Sequence, residues 1–147
     1  DPLKQQIVIN IGADDGVYIG QPAIDAYGLM GQVIEVNAKQ SRVILISDSR
    51  HSIPVQVNRN GVRAIAEGSG RIDTLMLPNV VATTDIKAGD LLVSSGLGQR
   101  FPVGYPVGVV ESVEQDSGKP FLNVVARPSA KLDRSRFVLL VFAGERS

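Results

Sequence analysis

Short runs of β-branched residues, broken by turn chemistry about every ten positions, constrain this chain more than any other feature. Of its 147 residues, 20 are Val and 12 are Ile, with 15 Gly and 8 Pro punctuating them. Val and Ile suit a pleated, half-buried surface and crowd a helix. No window keeps a helical period over three turns; residues 82–90 offer one short turn that Gly89 would end. Strands are expected near Gln6–Ile11, Pro22–Asp25, Leu29–Val36, Arg42–Ser47, Ile53–Val57 and Val62–Glu67. A second series is expected near Arg71–Leu77, Val80–Ala82, Asp90–Ser94, Pro106–Val113, Phe121–Ala126 and Phe137–Phe142. Between them, Asp14-Asp15-Gly16, Asn58-Arg59-Asn60-Gly61, Lys87-Ala88-Gly89-Asp90 and Asp116-Ser117-Gly118 supply residues that accept positive φ at low cost. The class is therefore all-β, a small barrel or sandwich.

The two series look like copies. Val17–Ile24 aligns with Ile86–Val93, and Gly31-Gln32-Val33-Ile34-Glu35-Val36 with Gly108-Val109-Val110-Glu111-Ser112-Val113. The second copy carries an inserted loop, Gly96 to Pro106. The expectation is two six-stranded barrels in tandem, 1–67 and 68–147, joined at Glu67-Gly68-Ser69-Gly70, with the last strand free to return to the first unit. A unit of this size is marginal alone, because small domains bury a smaller fraction of their surface. Packing of the two against each other through an apolar seam follows.

Composition then removes whole classes of function. There are 15 basic and 15 acidic side chains, evenly spread, so the basic excess that nucleic-acid binding requires is missing. No apolar run approaches the roughly 20 residues of a membrane span. The start at Asp1-Pro2 has nothing of a signal peptide and reads as that of a trimmed or mature fragment. With no Cys, disulfides, thiolate zinc sites and Cys nucleophiles are excluded. Twin six-stranded barrels also describe chymotrypsin-like proteases, and Asp116-Ser117-Gly118 faintly resembles their nucleophile loop. A triad would need His51, the only histidine, to take the proton of Ser117. Asp-Ser-Gly is equally a common hairpin turn, the Gly that precedes the Asp in that protease loop is here Gln115, and no Gly-x-Ser-x-Gly elbow exists. One His and no Cys leave no basis for a metal centre, and no cofactor fingerprint is present.

The segment from Ser94 to Gly108 is the most distinctive, with glycines and prolines spaced through it and two of the seven aromatics, Phe101 and Tyr105. It reads either as a structural corner in which Phe101 plugs a barrel end, or as an apolar recognition surface built on Leu97, Phe101, Val103 and Tyr105. The stretch from Arg127 to Arg136 is locally basic, which suits a solvated face, or anionic headgroups if a membrane is near.

Ser95-Gly96-Leu97-Gly98 followed by Phe101-Pro102-x-Gly104-x-Pro106-Val107-Gly108-x-Val110 resembles the signature of MreC, the bacterial rod shape-determining family. Gly16-Val17-x-x-Gly20-Gln21-Pro22, Gly28-Leu29-Met30-Gly31-Gln32-Val33, Ser41–Asp48, Ala88-Gly89-Asp90 and Val138–Val141 agree in order and spacing. The resemblance implies two small barrels, chymotrypsin-like in shape but without catalysis, in the periplasmic part of an inner-membrane protein. It implies that the membrane is reached only through a segment absent from this chain. It also implies a scaffold for lateral wall synthesis that associates with itself and binds a class-B penicillin-binding transpeptidase, MreD and other elongation-complex proteins. The partner surface is expected at the seam and the 96–106 loop.

Overall fold

The computed structural model describes residues 5–134 and 137–142. Eleven strands form two antiparallel sheets. The first has the order β1 (Gln6–Ile9), β4 (Ser41–Leu45), β3 (Leu29–Val36), β2 (Pro22–Ile24), β11 (Leu139–Leu140). The second closes on itself as β10 (Phe121–Pro128), β7 (Leu75–Val81), β6 (Arg63–Gly68), β5 (Ser52–Val57), β8 (Leu91–Ser94), β9 (Pro106–Gln115). Several strands alternate as half-buried strands do. In β5, Ile53, Val55 and Val57 point inward, and in β10, Val124 and Ala126 do.

Two expectations change. Among the described residues the first unit has five strands rather than six and is open, a half-barrel edged by β1 and β11. The division between sheets falls between Leu45 and Ser52, not at 67/68, so β5 and β6 belong to the barrel. Gly68-Ser69-Gly70 misleads because it runs from the end of β6 into the turn before β7 and is glycine-rich for another reason. Its backbone lies against the true connector: Gly70 N–H donates to Ser47 O at 2.8 Å and Gly68 N–H to His51 O at 3.0 Å. A Cβ on Gly68 would stand 2.0 Å from Asp48 O. The expected strands at 71–77 and 80–82 are one strand, β7, bent by a bulge at Pro78-Asn79, where Asn79 sits at φ 62°. The bulge shifts the alternation so that Val80 follows Leu75 and Leu77 into the core.

The repeat runs through β2–β4 and β8–β10 down to single hydrogen bonds. Gly20 N–H donates to Val33 O and Gly89 N–H to Val110 O, both at 2.8 Å; Val33 N–H donates to Gln21 O and Val110 N–H to Asp90 O, both at 2.9 Å. The side chain of Gln21 accepts from Tyr18 N–H as that of Asp90 does from Lys87 N–H. Gly31 and Gly108 occupy one equivalent position, where a Cβ would meet the carbonyl oxygen of Ile44 at 1.9 Å and of Arg127 at 2.7 Å. By pairing, β1 corresponds to β7 and β11 to β5. Nothing among the described residues corresponds to β6.

Val17, Ala23, Val33 and Val43 form a small core in the half-barrel, closed by Ile7, Ile9, Val138 and Leu140. A larger cluster fills the barrel and continues into the first unit through Leu29, Met30, Leu45 and Ile46. The apolar seam therefore exists, and the chain fills it itself.

Candidate interaction surfaces

The connector and the Ser94–Tyr105 loop meet at His51. Phe101 is buried and its ring stands edge-on to His51 with centroids 6.0 Å apart, so this aromatic plugs the core. The loop is tied at its base by Ser94, whose O accepts from Gly104 N–H at 2.8 Å and whose Oγ accepts from Tyr105 N–H at 3.0 Å. Gly96, Gly98 and Gln99 all have positive φ. The loop thereby separates the expected contact residues: Phe101 faces in, Tyr105 is half-buried, and Leu97 and Val103 are 53% and 67% exposed.

Triad chemistry finds no geometry here. Neither ring nitrogen of His51 has a hydrogen-bond partner among the described residues. Ser117 lies in the exposed turn between β9 and β10. The nearby carboxylate, Asp48, is engaged elsewhere: it accepts from Arg50 Nε at 2.9 Å, Arg50 NH2 at 2.8 Å and Gln5 N–H at 2.7 Å. The Arg50 side chain holds Asp48 well below the usual carboxylate range. Burial, aided by the charge of Arg100 and opposed by Asp48, pushes His51 down to about 4, so it is neutral at pH 7. Among the described residues, no group of three His, Asp or Glu side chains could hold a metal ion.

The basic stretch is largely engaged within the fold. Arg127 pairs with Glu111 at 2.7 Å, Lys131 lies over the Tyr27 ring at 5.3 Å, and Lys131 N–H donates to Asp25 at 2.7 Å. Arg136 lies outside the described residues. The cleft among Ile72, Arg127, Lys131 and Arg134 holds about 120 Å³, well short of a small-molecule site. A larger groove, about 520 Å³, runs between Ile7–Ile11 and Phe137-Val138 at the open edges of the half-barrel. Sequence reasoning did not nominate it. Its one sequence signal is the lack of any charge in Gln6–Ile11 and Phe137–Phe142.

Fold and surfaces together define an all-β pair of units whose exposed features are apolar edges and loops. The chain belongs to the MreC family: the family model for the barrel core of rod shape-determining protein MreC matches residues 1–142. It is 56% identical to the cell shape-determining protein MreC of Haemophilus influenzae, over 97% of this chain and 40% of that protein. Against the Escherichia coli protein of the same name identity is 49%, over 100% of this chain and 40% of that protein. The chain thus spans about two-fifths of the length of these curated relatives. The crystal structure of MreC from Pseudomonas aeruginosa superposes with a TM-score of 0.93 at 61% identity, covering 97% of this chain and 92% of that one. MreC in a complex with penicillin-binding protein PBP2 from Helicobacter pylori shares the fold, with a TM-score of 0.63 at 22% identity over 81% of this chain and 74% of that one.

Proposed function

We propose that this chain is the periplasmic barrel region of a non-catalytic scaffold that holds together the cell-elongation machinery and binds a class-B penicillin-binding transpeptidase. The observation carrying this reading is the family's role in cell shape, joined to a relative's occurrence in a complex with PBP2. The exposed apolar residues and the unpartnered, neutral His51 suit contact rather than catalysis. The mechanism is geometric: partners are brought to one place, and several weak contacts reinforce each other through effective concentration. MreD and further copies of the chain are the other partners under this reading.

Co-purification of this chain with the extracytoplasmic region of the transpeptidase tests it. Capture should succeed with the natural chain and weaken when Leu97 and Val103 are both replaced by Ser. Failure of capture by the natural chain counts against the reading. Sedimentation should show concentration-dependent species above 15.7 kDa; a strict monomer removes self-association from this region. Stoichiometric fluorophosphonate labelling of Ser117, abolished by His51→Ala, would establish the hydrolase alternative instead.

A further inference from the structure

The repeat gives an internal standard for what the half-barrel lacks. In the barrel, β6 fills the space between β5 and β7 and runs antiparallel to both. Their counterparts β11 and β1 carry no strand between them among the described residues, and the groove lies there. Among the described residues, its walls have unused backbone valences. Leu45 N–H donates to Gln5 O, which sets the alternation of β1 and turns the backbone groups of Gln6 and Val8 away from β4, toward the groove. On the other wall Val141 N–H donates to Pro22 O, so Val138 and Leu140 face the groove. The equivalence supports this orientation: Val57, the counterpart of Leu140, donates its N–H to Val62 O at the mouth of the β5–β6 hairpin.

Soluble proteins usually guard such edges with charge, proline or a covering element. Here Gln6–Ile11 and Phe137–Phe142 contain none of the charged residues or prolines, and Val8, Phe137 and Leu139 are 53%, 81% and 62% exposed. The occupant is also constrained. A strand seated between β1 and β11 must have both of its edges free. Every described strand already pairs along at least one edge, so a folded second copy has no described strand to offer. The side chains of β6 indicate what fits: Ala64, Ala66 and Gly68 are its inward positions, and all are small.

We propose that the groove between β1 and β11 is a strand-acceptor site, which takes an extended segment of a partner protein, with small apolar residues at alternate positions, as the missing sixth strand antiparallel to both edges. Main-chain hydrogen bonds would give the affinity and the alternate small side chains the selectivity. This inference stands apart from the transpeptidase reading, because any partner with such a segment would satisfy it.

The test uses a synthetic peptide spanning Val62–Ser69 of this chain, the internal sixth strand, blocked at both ends. Titrated into the isotopically labelled 147-residue chain, it should produce saturable amide shifts centred on Gln6, Val8, Val138 and Leu140. Hydrogen exchange at those amides should slow at least tenfold. The same peptide carrying Ala66→Pro should lose the effect, as should the natural peptide with the Val8→Lys chain, whose folding is checked by its remaining spectrum. Absence of saturable shifts at millimolar peptide overturns the proposal, as do shifts centred on the barrel loops. Concentration-dependent shifts at β1 without peptide would assign the edge to a second copy. Slow exchange before peptide is added would show the groove filled by the chain's own residues. Either outcome replaces the partner strand.

Discussion

His51 and Phe101 illustrate how little of a side chain's role its type reveals. The only histidine invites a catalytic reading, yet its ring is packed against Phe101 with both nitrogens unpartnered. A neutral buried imidazole has a pH consequence with a definite sign. Its folded value, about 4, lies below the ordinary 6.5, so the unfolded chain binds more protons between those limits. The stabilisation is complete above pH 6.5 and is lost as pH falls toward 4, by at most about 3 kcal/mol. Denaturant midpoints measured across that window should decline in the natural chain and stay much flatter in His51→Phe. Asp48, held low by Arg50, contributes in a separate window that opens only as pH falls below the ordinary carboxylate value of 3.8. The loop separates the two roles that its sequence left open. Phe101→Ala should cost about 3–5 kcal/mol as a core cavity. Leu97→Ser and Val103→Ser should each change stability by no more than about 0.5 kcal/mol. Chemical denaturation of the three variants reads this directly, and a small cost for Phe101→Ala would contradict the plug.

Elements were legible wherever hydrophobic alternation and turn residues agreed. Leu29–Val36 is expected and found over the same residues, because both ends have clear turn chemistry. The 71–82 region split because Pro78-Asn79 has the composition of a turn, while the structure uses the pair as a bulge inside one strand. The unit boundary was misplaced for a related reason: glycine marks both a loose linker and a place where backbones touch. Gly68 is the second kind. The open groove was barely legible: its one signal is the uncharged run of each wall, and the sequence does not show that no strand stands between them among the described residues. Repeat geometry gives its own comparison at Gly31 and Gly108. Alanine at Gly31 meets a carbonyl oxygen at 1.9 Å and at Gly108 meets one at 2.7 Å. Overpacking costs typically about 1–3 kcal/mol, and Gly31→Ala should lie at or above the top of that range and exceed Gly108→Ala. Equal thermal shifts would mean that the closer backbone approach at Gly31 carries no extra cost.

The whole molecule behaves as one body in its packing, since the larger cluster takes Leu29, Met30, Leu45 and Ile46 from the half-barrel. Calorimetry should accordingly give a single cooperative transition for the intact chain. Truncation after Arg136 should lower the midpoint, because Val138 and Leu140 leave the small core; two resolved transitions in the intact chain would refute shared packing. The return of β11 to β2 also determines how the molecule carries load. The first and last described strands lie in the same half-barrel, and the barrel is inserted between β4 and β11. Tension applied along the polypeptide therefore runs through β1, β4, β3, β2 and β11 and bypasses the barrel, which stays slack until those ladders part. The half-barrel is the mechanical fuse, and among the described residues no strand braces its open side.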